Sequence, residues 1–229
     1  MFLKQIKRSL FLLCLIITSN ASSQGEEVIT YLNNSDAIYE KYLQQYEVYN
    51  GPESIWLKQV GEEVKTAVDR MFVANGSKEL LPLFDWEFNV VKMNEGDKDF
   101  MVFPGGKVLI SKELLGVLDT ANELAWMIAH GLGHVFYDST ELSLSKFHLD
   151  NKYSFSDDEE MNVDEFSLSL MAIAGFNPDV MEEMWNDKEL EKKTDFFDYH
   201  PRYEGRLGKI REFSAEAKSN ARKYGVTRF

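Results

Sequence analysis

A chain of 229 residues with 44% hydrophobic and 13% aromatic side chains can bury a sizeable core, which excludes a disordered polymer. A formal net charge of −13 argues against nucleic-acid binding and against docking on anionic lipid. The chain has one cysteine, Cys14, in an expected N-terminal leader; the mature part has none, so disulfides, cysteine nucleophiles and thiolate metal sites are excluded there and a metal site must use histidine and carboxylate ligands.

Residues 1–23 read as a signal peptide. Lys4, Lys7 and Arg8 form a basic start, residues 10–17 form a short apolar run, and small or polar residues follow, with cleavage expected after Ala21 or Ser23. The cysteine, Cys14, falls in that leader; Leu12 and Leu13 precede it where lipidation would require small residues. The mature part, 24–229, is expected to be one domain, exported to a periplasmic or extracellular space. No other stretch approaches the roughly 20 apolar residues of a membrane span, so no stable membrane insertion is expected once the leader is gone.

Residues 36–49 read as a tyrosine-rich helix ended by Asn50-Gly51. Pro52 opens a second helix with an apolar stripe of Ile55, Val60, Val64, Val68 and Phe72, and Asn75-Gly76 stops it. Residues 84–93 are rich in aromatic and β-branched side chains and predict a strand, followed by a turn over 94–98. Residues 100–103 and 107–111 flank Pro104-Gly105-Gly106 and predict two short strands around a tight turn. A short helix over 113–118 comes next, then a longer one capped by Thr120 and running to about Tyr137. Residues 139–156 form a polar loop containing His148, read as a surface histidine. Ser156-Asp157-Asp158-Glu159 matches a capping box that starts a helix ending at Gly175, and two more helices are expected over 179–191 and 201–224. The layout is α+β: mostly helical, with one small β-sheet.

The chemistry lies in His130-Gly131-Leu132-Gly133-His134. Histidines at i and i+4 share one helix face and can chelate one metal ion, as in the zinc-protease signature His-Glu-x-x-His. A pair of satisfied core histidines is the bland alternative, but the chain has only four histidines and two fall at this spacing on an apolar helix. A third, carboxylate ligand is expected, and Glu160 is the candidate. Asp164 lies one turn later on the same face, where it can orient a ligating histidine from behind. Asp157, Asp158 and Glu159 read as a solvated acidic helix start.

These residues resemble the HtpX-type and CAAX-prenyl-protease-type zinc metallopeptidases, peptidase family forty-eight, from about Asp99 onward. The resemblance rests on the strand pair around Pro104-Gly105-Gly106, Glu123-Leu124-Ala125 leading into the histidine helix, Glu160 with Asp164, Ala174-Gly175-Phe176-Asn177-Pro178, and His200-Pro201 followed by Arg206. It implies a zincin-like metalloendopeptidase domain that acts on protein or peptide substrates. One Zn²⁺ per chain would sit on His130, His134 and Glu160, with His200 near the metal as a donor to a developing oxyanion and Arg206 counted with it in the catalytic group. A surface histidine beside a proline is the alternative for His200, and a salt-bridging residue on the final helix is the alternative for Arg206.

Two departures stand out. The gap from His134 to Glu160 is short for this family, and Gly131 occupies the position of the catalytic glutamate. Glycine cannot take a proton from zinc-bound water, and losing a positioned base costs on the order of 10²–10⁴-fold in rate. Inside a helix glycine also costs about 1 kcal/mol relative to alanine, so it is not there for helix stability. The sequence therefore supports two readings: a zinc endopeptidase with weakened or lost activity, or a zinc-binding pseudopeptidase that holds extended polypeptide. The strand at 107–111 is the edge expected to receive such a polypeptide.

Overall fold

The computed structural model describes residues 23–94, 97, 99–138, 155–192, 200 and 205–229. All of the expected leader but Ser23, most of the polar loop with His148, and residues 201–204 lie outside the described residues.

The elements are helix α1 (Ser23–Gln45), strand β1 (Glu47–Tyr49), helix α2 (Pro52–Ala74), a 3₁₀ turn (Lys78–Leu83), β2 (Glu87–Lys92), β3 (Phe100–Phe103), β4 (Lys107–Ser111) and α3 (Lys112–Leu115). There follow α4 (Ala121–Asp138), α5 (Asp157–Ala174), α6 (Val180–Asn186), α7 (Lys188–Glu191), α8 (Arg206–Ala221) and a 3₁₀ turn (Arg222–Tyr224). The fold is α+β, as expected, with one sheet of strand order β1-β2-β4-β3. β2 and β4 run parallel; β1 and β3 flank them antiparallel.

Side chains alternate across a strand, so the sheet feeds two cores. Phe88, Val90, Val102, Val108 and Ile110 face the main core with α2, α4 and α5. Val91, Phe103 and Leu109 face the other way, onto Tyr39 of α1. Tyr39 also donates to Glu87 Oε2 at 2.9 Å and accepts from Asn89 Nδ2 at 2.7 Å, so its buried hydroxyl is satisfied. Lys107, nearly buried, joins α1 to the loop before β2 through Asp36 Oδ1 (2.9 Å) and Asp85 Oδ2 (3.2 Å).

Several expectations are corrected by tertiary packing. The first helix begins by Ser23 and ends at Gln45, and residues 47–49 form β1 because Val48 pairs with Val91 on the otherwise open edge of β2. Ile55 is 61% exposed; it lies about 140° around the helix from Val60, and Leu57 takes its place in the core. The helix expected over 179–191 breaks at Asp187, whose Oδ1 accepts from Leu190 N at 3.1 Å and restarts the chain as α7. The final helix starts at Arg206, behind Gly205 at φ 91°. The strand at 107–111 is interior rather than an edge: β4 pairs on both sides, and among the described residues β1 and β3 are the edge strands.

Candidate metal centre

Two helices position the site, and their caps set its phase. α4 opens on Thr120, whose Oγ1 accepts from Glu123 N (3.2 Å) while Glu123 Oε2 accepts from Thr120 N (3.1 Å). α5 opens on Ser156, with Ser156 Oγ accepting from Glu159 N (3.3 Å) and Glu159 Oε2 accepting from Ser156 N (2.9 Å). It closes at Gly175, φ 96°, where Phe176 N donates to Met171 O. With the helix fixed at both ends, Glu160 and Asp164 point inward and are buried, and Glu159 stays at the surface as a cap.

The structure brings His130, His134, Glu160 and His200 together, with one ligand atom from each lying within 4.8 Å of all the others. His130 Nε2 is 3.2 Å from His134 Nε2 and 3.2 Å from His200 Nδ1. Glu160 Oε1 is 2.8 Å from His200 Nδ1 and 3.7 Å from His134 Nε2, and Oε2 is 3.4 Å from His130 Nε2. Four donors on a tetrahedral zinc with bonds of 2.0–2.1 Å stand about 3.3 Å apart, so these separations fit that ion. Imidazole and carboxylate also suit it chemically.

The electrostatics agree with a ligand set. At His134 and His200 burial opposes the charged ring and holds the pKa below the ordinary range, which favours the neutral form that metal ligation requires. At His130 burial also opposes charge, but Asp164 and Glu160 outweigh it and leave the ring more basic than usual. Burial pushes Glu160 up, yet His200 and His130 hold it far below the usual carboxylate range, so it is ionised.

Behind the donors, Arg206 is fully buried. Its Nε donates to Asp164 Oδ2 (2.7 Å), and its Nη2 donates to Asp164 Oδ1 (2.9 Å) and Glu160 Oε2 (2.7 Å). The guanidinium lies 4.4 Å from the centre of the Trp185 ring. Asp164 Oδ1 is in turn 3.4 Å from His130 Nδ1, so one arginine orients Glu160 directly and His130 through Asp164. Arg206 is thus the salt-bridging residue of the sequence reading, on the inner side of the site.

Sequence reasoning missed two aromatic partners. Phe155 stacks on His134 at 3.7 Å between ring centroids and on His200 at 5.5 Å, covering both rings. Its one sequence signal is an apolar residue just ahead of the Ser156 cap. Trp185 carried no signal at all.

Gly131 lies on the face of α4 turned to β3. A β-carbon there would stand 2.4 Å from Val102 Cγ2 and 3.0 Å from both Val102 Cβ and Phe100 Cε1. Gly133 faces α5, where a β-carbon would meet Val163 Cγ1 at 2.8 Å. The carboxylates considered as replacements for a base at 131 are engaged elsewhere: Glu123 and Glu159 in caps, and Asp164 with Arg206.

Residues 58–156, less than half of the chain, match the sequence profile of peptidase family M48. The mitochondrial metalloendopeptidase OMA1 of Schizosaccharomyces pombe is 24% identical over 184 residues, covering 67% of this chain and 53% of its own. The chain therefore spans about half the length of the curated relative it matches. Both findings support a metallopeptidase-type domain of the M48 kind. M48 peptidases are zinc-dependent, in keeping with the donor group. The profile match includes His130 and His134 and stops at Ser156, so Glu160, His200 and Arg206 lie beyond it.

Proposed function

We propose that this chain is an exported, M48-type zinc-binding peptidase domain that engages protein or peptide substrates, with hydrolysis weakened or lost because Gly131 stands at the general-base position. The observation that carries this reading is the buried donor group of His130, His134, Glu160 and His200 beside a base position with no side chain. Zinc held there would supply Lewis acidity and a more acidic bound water. The residues around it orient the ligands: Arg206 fixes Glu160, Asp164 bridges Arg206 to His130, and Phe155 shields His134 and His200 from solvent.

A second reading, a pseudopeptidase that holds extended polypeptide without cutting it, is favoured by His200. Its Nδ1 stands as a fourth donor, 3.2 Å from His130 Nε2 and 2.8 Å from Glu160 Oε1, and a closed four-donor set is the mark of a structural zinc site. Extended chain would add to the free edge of β3. One experiment separates the readings: the mature chain is loaded with one equivalent of zinc and incubated with an unfolded protein, with and without chelator. Chelator-sensitive fragments support the weakened peptidase. Retention of intact unfolded chain without cleavage supports the pseudopeptidase, and failure to bind zinc defeats both.

A further inference from the structure

We infer that Gly131 is the seat of strand β3: Val102 and Phe100 fill the slot of the missing general base, so hydrolysis cannot be recovered by changing residue 131 alone. This rests on the peptidase-type reading of the site only for its consequence for hydrolysis; the packing itself does not depend on it.

Val102 is nearly buried on the edge strand, registered opposite Val108 of β4 and two residues from Phe100, so its side chain points at α4. The obstruction at 131 involves its branch point as well as a methyl: Cγ2 would lie 2.4 Å from a new β-carbon and Cβ itself 3.0 Å. Rotating the valine relieves the methyl, but Val102 Cβ and Phe100 Cε1 at 3.0 Å must still give by a few tenths of an ångström, so alanine at 131 presses β3 and α4 apart, and truncating Val102 removes the larger part of the overlap. A glutamate must push it further or turn away from the metal.

The chain offers its own control. Gly208 is also helical, on α8, and a β-carbon there meets nothing within 4 Å. At such a position alanine is the better helix former; at 131 the same change should reverse sign. Loss of the base and approach of the strand are then one coupled feature. The strand that would carry an extended polypeptide sits closer to the histidine helix than a side chain at 131 would allow.

The test uses the zinc-loaded mature chain and a double-mutant cycle read by thermal unfolding and zinc content. Gly208→Ala is expected to raise Tm by roughly 2–4 °C. Gly131→Ala is expected to lower it by roughly 3–10 °C, and by much less in a Val102→Ala background. Gly131→Glu should be the least stable single variant, and Gly131→Glu with Val102→Ala should regain stability and zinc. If Gly131→Ala raises Tm as Gly208→Ala does, or Gly131→Glu alone matches the parent in Tm and zinc content, the inference is overturned. Hydrolysis is read separately: the double variant should cleave an unfolded substrate about tenfold or more faster than Gly131→Glu alone, within the range a positioned base supplies. A stable, zinc-loaded and inert double variant would leave the seat standing and count against the peptidase reading.

Discussion

Among the described residues, two buried cations are each clasped between two carboxylates, to different ends. Arg206 holds Glu160 and Asp164 with all three side chains at 0–1% exposure. Lys107, itself 3% exposed, holds Asp36 and Asp85, which are 43% and 82% exposed. In the first knot every charge has left water, so each depends on the others. In the second the acids keep their hydration and only the lysine depends on them. A sealed knot fixes ligand geometry with little freedom, as a metal centre needs; a half-open one fastens a helix to a sheet and tolerates loss of a partner.

The largest effect that would test this contrast is Arg206→Met. Leaving Glu160 and Asp164 buried without their cation should cost about 3–5 kcal/mol in denaturant unfolding. Zinc affinity should fall as well, measured by competition with a chelating dye. Next is Asp164→Asn, which keeps the shape but weakens the link to His130; a loss of about 10–100-fold in zinc affinity is expected, with a smaller stability change than Arg206→Met. Lys107→Met should cost about 1 kcal/mol or less, because both carboxylates can turn to solvent. A cost equal to that of Arg206→Met would break the comparison.

The smallest effect is in pH. Burial works against the Lys107 charge, but its bonds to Asp36 and Asp85 outweigh that and raise its pKa. The stabilisation is therefore complete below the ordinary lysine range and is lost as pH rises through the higher folded value, whereas Arg206 stays charged. Between about pH 10 and 12 the parent should lose more stability than Lys107→Met does, read as the difference between their denaturation midpoints. Parallel curves would show that the Lys107 clasp contributes nothing.

Much of the site was legible because its signals are local. His130 and His134 announce themselves by spacing, Glu160 and Asp164 by position behind the Ser156 capping box, and the Pro104-Gly105-Gly106 turn by composition. The errors fell where distant contacts decide. Residues 47–49 look helical until β2 offers them an edge, and 107–111 look like an edge until β2 and β3 both pair with them. Nothing near Gly131 in the sequence says that Val102 fills its space, because the two meet only once sheet and helix have packed.

The donor atoms come from α4, α5 and residue 200, with His130 and His200 separated by 70 positions and Glu160 and His200 by 40. An ion bound among them is therefore a cross-link as much as a reagent. It closes long loops of a chain that has no covalent bridge to close them, and its binding energy becomes folding energy. Abundance of the folded form would then follow free zinc in the compartment, rising by about 2.7 kcal/mol of stability at a hundredfold excess over the dissociation constant. A chain so tied would report the local supply of zinc through its own persistence.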